Sequence, residues 1–248
     1  MYIHNSNLTI RDATADDAVQ LAEWWNDGEV MAHAGFPLGL GTTAEKVAES
    51  LKLDRDDTRR RLIIEVDSVR VGEMSYRRVD AVESNTAADA GNNDKASDPY
   101  AARNDGNESD LQAARNAGNE SDPHTARNDG TPLAPTAEIG IKICDPASQN
   151  RGIGKRLLCM LISELFRMGY EKIILDTNLN NTRAQHVYEQ LGFRRLRVNV
   201  DSWRDQLGRL QSSVDYELRP SDFTGVASDF AGAASDVTGT ASDVADTD

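Results

Sequence analysis

The chain has 248 residues, with 27 basic against 41 acidic side chains and a formal net charge of −14. Its two cysteines, Cys144 and Cys159, are too few for a disulfide framework and lack the spacing of a metal site. The longest apolar run, Leu157–Ile162, is far shorter than the roughly 20 residues that span a bilayer, and residues 1–5 lack a signal core. We therefore expect a soluble, cytoplasmic protein.

The acidity is concentrated in two segments. Residues 80–136 hold 11 acidic and four basic residues, and residues 221–248 hold six acidic and no basic ones. The remainder is nearly neutral and long enough to bury one core. We predict a single domain over residues 1–220, interrupted by an insertion at 80–136 and followed by a tail at 221–248.

The N-terminal elements alternate between strand and helix patterns. Leu8–Arg11 predicts a first strand, and the capping residues that follow it predict a helix through Leu21 and Trp25. Glycines and Pro37 then predict a loop. Thr42-Thr43-x-Glu45 resembles a capping box and predicts a second helix.

Two apolar runs after that helix, 62–66 and 71–76, predict a hairpin around Asp67-Ser68.

The insertion at 80–136 carries Ala-Arg-Asn at 102, 114 and 126, a 12-residue repeat rich in Asn, Asp, Gly, Ser and Glu. This composition buries too little apolar surface to offset the chain entropy, so we predict disorder. A long loop is tolerable because its closure cost grows only logarithmically with length. A short β-solenoid is the alternative, which the lack of a recurrent Leu, Ile or Val disfavours.

The stretch 137–193 is the most informative part of the chain. An apolar strand at 137–144 ends at Asp145-Pro146. Residues 149–156 then lead into an apolar helical pattern, followed by a strand at 172–175. A short helix after Asn181 ends at Gly192, which predicts a C-terminal cap.

The turn at 149–156 has the features of an anion site. Gly152 and Gly154 let the backbone approach a ligand closely, and the first turn of the next helix leaves about four amides unpaired at its positive end. Arg151, Lys155 and Arg156 add positive charge. Capping of the helix alone is the alternative. The turn is neither a dinucleotide fingerprint nor a Walker loop, because it lacks the third glycine and a Gly-Lys-Ser/Thr.

Residues 195–200 and 213–218 alternate as strands and would complete a mixed sheet. The tail repeats Ser-Asp-Phe/Val from 221, 228, 235 and 242. Such a period is found in coiled coils, but the interleaved glycines would make a poor helix, so we predict disorder. The two acidic segments also suggest a halophile-like organism of high internal salt, as a compositional hypothesis.

Two motifs resemble a known family. Gln149-x-x-Gly152-x-Gly154 is similar to the Gln/Arg-x-x-Gly-x-Gly/Ala signature of the GNAT-type acetyltransferases, which bind acetyl-CoA. Asn181-x-x-Ala184-x-x-Val187-Tyr188-Glu189-x-Leu191-Gly192-Phe193 looks like that family's second coenzyme-binding segment. The resemblance implies an α/β (α+β) fold: a mixed, mostly antiparallel sheet of about seven strands, splayed between the fourth and fifth and flanked by about four helices.

The resemblance also implies a coenzyme site. Free amides near Ile141 and Ile143 would hold the pantetheine chain and the thioester oxygen. Asn181 would lie near the pantetheine. The turn residues would bind the diphosphate: Gln149, Asn150, Arg151, Gly152, Ile153, Gly154, Lys155 and Arg156.

For catalysis, Tyr188 matches a family tyrosine near the sulfur and is a candidate general acid, with a buried packing role as its alternative. Glu138 is the candidate base, with Glu73 or a water chain as rivals. Direct transfer in a ternary complex is expected, with no covalent enzyme intermediate and no metal.

The acceptor is left open between a small-molecule amine and a protein N-terminus. The resemblance makes Trp24, Trp25, His33 and Phe36 candidate substrate contacts. Trp25 and Phe36 are alternatively core residues, which is favoured for Trp25, and His33 is alternatively a loop histidine. Residues 201–211 are a candidate second wall. We expect no nucleic-acid partner, since no basic stripe remains, and no membrane partner. A homodimer stays open, and a non-catalytic acyl-CoA sensor is the alternative function.

Overall fold

The computed structural model of the protein describes residues 1–52, 58–79 and 134–225. Most of the predicted insertion and tail lies outside the described residues. The helices are α1 (Ala18–Asn26), α2 (Gly28–Met31), α3 (Ala44–Leu51), α4 (Ile153–Arg167) and α5 (Thr182–Gln190). The strands are β1 (Tyr2–Asn5), β2 (Leu8–Asp12), β3 (Arg59–Val66), β4 (Val69–Val79), β5 (Thr136–Ile143), β6 (Lys172–Asn178), β7 (Arg194–Arg204) and β8 (Leu210–Leu218).

The described strands form one eight-stranded sheet in the order β1-β2-β3-β4-β5-β6-β8-β7. Every neighbouring pair is antiparallel except β5 and β6, which run parallel. The mixed sheet confirms the predicted fold class, but the count is eight rather than about seven. The additional strand is β1, which pairs with β2 and is too short for its pattern to stand out.

The predicted splay is present between the two segments that the sequence indicated. Strands β5 and β6 pair only from Thr136–Lys172 to Glu138–Ile174, although β5 continues to Ile143. Because β1 precedes them, these are the fifth and sixth strands rather than the fourth and fifth. The last part of β5 is therefore paired with β4 alone.

Helices cover both faces of the sheet. Leu62, Ile64 and Met74 are fully buried on one face, in a cluster that includes the apolar side of α4. Ile63 and Cys144 lie on the other face, in a second cluster with α1, α2 and α3. Since successive strand residues point to opposite faces, β3 must be apolar at consecutive positions to serve both clusters.

One local prediction is confirmed and two are corrected. The β3–β4 turn has positive φ at Asp67 and Ser68, as a two-residue hairpin requires. The N-cap of α3 is Thr43 rather than Thr42, because its hydroxyl accepts from the Lys46 amide. The expected loop before Pro37 contains helix α2, which Asp27 caps by accepting from two amides.

The β7–β8 hairpin is longer than the sequence predicted. Strand β7 continues through Trp203 to Arg204, so the expected loop at 201–211 shrinks to a tight turn. Gln206 in this turn ties it to the segment after α2 through bonds to Gly35, Leu38 and Gly39. In the described part of the chain, no helix combines the length and apolarity needed to cross a membrane.

Candidate functional site

A cavity of about 380 Å³ lies beside the end of β5 that β6 does not cover. Its size is within the range of small-molecule sites. The walls come from α2 and the residues after it, from β5, from the turn before α4, and from α4 and α5. The lining residues are Glu29, Val30, His33, Ile141, Lys142, Ile143, Ser148, Gln149, Asn150, Gly152, Ile153, Gly154, Lys155, Leu158, Asn181, Arg183, Ala184, Val187 and Tyr188.

The backbone of β5 is accessible where the strands separate. The Cys144 amide donates to Val71, on the β4 side of β5. Because strand amides alternate between the two edges, the amides of Ile143 and Ile141 point toward the gap. The Gln149 side chain donates to the Ile143 carbonyl at 2.9 Å and so fixes the turn against this edge.

The turn at 149–156 presents bare backbone. Asn150 and Gly152 have positive φ, and Gly152 is the N-cap of α4 without a side-chain cap. A Cβ built on Gly152 or Gly154 would meet nothing within 4 Å. The first-turn amides of α4 therefore border open space, at the positive end of a 15-residue helix. This arrangement fits a diphosphate.

The charged side chains of the turn divide into two groups. Lys155 lines the cavity, and its Nζ lies 3.2 Å from the Gln190 Oε1 on α5. Arg151 and Arg156 are exposed and do not line it. Arg183, in the first turn of α5, lines the cavity although the sequence analysis did not single it out. Its position two residues after the motif asparagine was the available signal.

Helix α5 places two predicted residues at the cavity. Asn181 is the N-cap, and its side-chain oxygen accepts from the Ala184 amide at 3.3 Å. Tyr188 is 8% exposed and packs against Phe193 and Tyr216, with ring centroids 5.8 Å away in both cases. Both residues thus stabilise the helix and also form part of the cavity wall.

Glu138 lies outside the cavity lining, on the part of β5 that still pairs with β6. Its carboxylate forms an ion pair with Arg77, at 2.6 Å between Oε2 and Nη2. This placement gives no support to the predicted role of Glu138 as the base.

Glu73 is fully buried beneath the cavity wall. It accepts from Trp25 Nε1 at 2.9 Å and Arg61 Nη1 at 3.0 Å, and Lys142 Nζ lies 3.3 Å away. Burial alone raises the pKa of Glu73, but the charges of Lys142 and Arg61 and these hydrogen bonds outweigh it and leave the pKa below its usual value. Glu73 is therefore a structural anion that holds Lys142 in place.

The first helices supply the remaining wall. Trp25 is 1% exposed, and Trp24 is also buried, so both are core residues, and Phe36 packs partly buried against the same cluster. His33 is exposed and lines the cavity together with Glu29 and Val30, which the sequence analysis did not single out. Helix α2 brings these residues to the site. The sequence did not predict this helix, because the glycines around it indicated a loop.

Neither Cys144 nor Cys159 is among the residues that line the cavity. Cys144 is buried, and burial together with the nearby Glu73 carboxylate raises the pKa of its thiol far above the usual value. Within the described ranges, no group of three or more His, Cys, Asp or Glu side chains is arranged to hold a metal ion.

The chain is similar to proteins of one family. A model of the acetyltransferase (GNAT) family matches residues 117–193. Over 63 residues the chain is 38% identical to a mycothiol acetyltransferase of Gordonia bronchialis, covering 25% of this chain and 20% of that protein. Over 70 residues it is 37% identical to a [ribosomal protein bS18]-alanine N-acetyltransferase of Haemophilus ducreyi, covering 28% of this chain and 48% of that one. The chain therefore spans at most about half the length of these curated relatives.

The fold is shared more widely than the sequence. The structure of a spermidine N-acetyltransferase from Vibrio cholerae, in complex with CoA and spermine, superposes with a TM-score of 0.59 at 18% identity, over 88% of this chain and 98% of that one. Together with the family-model match, this likeness confirms the resemblance to the GNAT family that the two motifs indicated.

Proposed function

We propose, from a GNAT-like segment on a GNAT-type sheet, that this protein is an N-acetyltransferase that moves the acetyl group of acetyl-CoA to a primary amine. One observation carries the proposal. The gap between β5 and β6, the bare turn before α4 and the first turn of α5 all border a single cavity. Each is a feature that binds one part of an acyl-CoA.

Acetyl-CoA is held mainly by backbone. The diphosphate occupies the open space above Gly152 and Gly154, where the first-turn amides of α4 donate hydrogen bonds to it. Lys155 and Arg183 add positive charge at the same cavity. The Ile141 and Ile143 amides at the free edge of β5 hold the pantetheine chain. Asn181 lies beside that chain.

The transfer is a direct attack of the amine on the thioester. The free β5 amides stabilise the oxygen that becomes negative, in the manner of an oxyanion hole. Tyr188 donates a proton to the departing thiolate. Positioning of the two substrates in one cavity accounts for much of the remaining rate.

The similar proteins indicate the general class of the acceptor but not its identity. The similar proteins are named for mycothiol, for an alanine of ribosomal protein bS18 and for spermidine. For this chain we propose a primary amine, carried by a small molecule or by a protein N-terminus.

A non-catalytic acyl-CoA sensor is the second candidate, and one observation favours it. The two carboxylates that the sequence offered as bases, Glu138 and Glu73, are both held in ion pairs. A sensor would bind the coenzyme and transfer acetyl to no amine.

Calorimetry with acetyl-CoA tests the proposal, and the Gly154→Val variant gives it a matched comparison. The added side chain enters space that the protein leaves open, so thermal unfolding without ligand should stay unchanged. Coenzyme affinity should fall at least tenfold, because the side chain occupies the diphosphate position. If the wild-type protein binds no acetyl-CoA at a ligand concentration of about 100 μM, both the enzyme and the sensor function are refuted.

A further inference from the structure

One wall of the cavity lies outside the coenzyme contacts proposed above. Glu29 and Val30 on α2 and His33 in the turn after it line the cavity alongside Tyr188. Glu29 and His33 are four residues apart, one helical turn, and both are exposed. An exposed carboxylate and an imidazole thus share the space into which the acceptor must come.

A primary amine needs a proton acceptor in this reaction. With a pKa like that of lysine, near 10.4, only on the order of one molecule in a thousand is neutral at pH 7. The ammonium form has no lone pair and cannot attack a thioester. An enzyme therefore gains from a base that lies within the acceptor site and has a pKa near the working pH.

The described residues leave few candidates for that base. Glu138 is outside the cavity in an ion pair with Arg77, and Glu73 is fully buried among Trp25, Arg61 and Lys142. Among the cavity-lining residues, the remaining imidazole and carboxylate are those of His33 and Glu29. Imidazoles are in general stronger bases than carboxylates, by about two pKa units.

We propose, resting on the proposed acetyl transfer, that His33 is the catalytic base and that Glu29 selects cationic primary amines. Glu29 attracts the ammonium, and a ring nitrogen of His33 takes one of its protons. The amine lone pair then forms the N–C bond, the C–S bond breaks, and the thiolate takes a proton from Tyr188. The nitrogen gives its second proton to the Tyr188 phenolate as the amide forms, which restores the phenol. The proton on His33 is released to solvent, so the products are the amide, the free thiol and one proton.

The charges around His33 set the expected pH behaviour. The charged or titratable groups that face the same cavity are Glu29 and Tyr188, together with the cations Lys142, Lys155 and Arg183. The diphosphate of the coenzyme offsets the last two when it is bound. A base of this kind gives a rate that rises with pH as the imidazole loses its proton.

Steady-state kinetics of the full chain and its His33→Gln variant test the proposal. The acceptor probes are n-butylamine, 1,4-diaminobutane and the tripeptide Ala-Ala-Ala, with free thiol as the readout from pH 5.5 to 9.5. His33→Gln should lower kcat/KM for the amine about 100-fold at pH 7, and the loss should shrink toward pH 9.5, where solvent removes the proton. Added imidazole should restore part of the rate.

Glu29→Gln should lower kcat/KM about tenfold for 1,4-diaminobutane, with kcat nearly unchanged. Neither variant should change acetyl-CoA affinity by calorimetry.

Each outcome bears on one proposal. A wild-type protein that binds no acetyl-CoA overturns the proposed function itself. Coenzyme binding with no thiol released for any of the three amines overturns the present inference and leaves the sensor function standing. Turnover by His33→Gln within twofold of the wild type at every pH shows that His33 is not the base.

Discussion

The buried carboxylate of Glu73 gives the sharpest test of how the site is held. Its side chain is 0% exposed, and the two cations paired with it are 5% exposed at Arg61 and 14% at Lys142. The substitution Glu73→Gln keeps the size and most hydrogen bonds but removes the carboxylate charge that pairs with both cations. The buried ion pairs of Arg61 and Lys142 with this carboxylate are then lost.

The expected cost is about 3–5 kcal/mol of unfolding free energy, the range for breaking a buried ion pair at one partner. The decrease of the unfolding free energy at low pH follows from the lowered pKa of Glu73. Its stabilisation is fully present above the unfolded pKa near 4.3 and is lost as pH falls through the folded pKa. The wild type should therefore approach the stability of the variant in acid.

Urea unfolding at pH 7 and at pH 3–4 measures both effects. Glu138→Gln is the matched control, because it makes the same chemical change on the neighbouring strand β5. There the carboxylate forms a partly exposed ion pair with Arg77. Exposed pairs are worth about 1 kcal/mol or less. Equal costs for the two variants at pH 7 would refute the view that burial makes Glu73 structural.

The remaining predictions concern three other positions. Tyr188→Phe should lower kcat at least tenfold with coenzyme affinity unchanged, and an unaltered kcat would leave Tyr188 a packing residue. Gln206→Ala removes two side-chain hydrogen bonds, to Leu38 and Gly39, so the acceptor KM should rise severalfold while acetyl-CoA affinity stays constant; a change in coenzyme affinity instead would contradict this. Asp17→Asn, at a fully buried carboxylate that pairs with Arg11, should cost about 3 kcal/mol by urea unfolding, against little change for exposed Asp16→Asn.

The strands and main helices of residues 137–193 could be predicted because their local signals agree. Apolar periodicity, Pro146 and Gly192 indicate the boundaries of these elements. The structure has those of β5 within a residue, whereas β6 continues three residues beyond its predicted end. Helix α2 and strand β1 could not be predicted in this way. Each is only four residues long, too short for its own pattern to stand out. Strand β1 is held by pairing with β2, and helix α2 by burial of Met31 among α1 and α3.

Some residues of the candidate site could likewise be predicted from local sequence, and others could not. The turn residues Gln149, Gly152 and Gly154 are adjacent in sequence, and their spacing alone indicated an anion site. Glu29 and His33 are more than 100 residues away from that turn, so only folding brings them to it. The ion pairs of Glu73 and Glu138 are likewise set by sheet register.

By itself, the sequence determined where the chain bends, which turn can approach a diphosphate and which family the segment resembles, because these depend on residues within a few positions of each other. Tertiary structure alone decided which carboxylates form ion pairs and which side chains line the cavity. Those properties depend on burial and on charges from other strands and helices, and a carboxylate beside Lys142 and Arg61 looks the same in sequence as one in water.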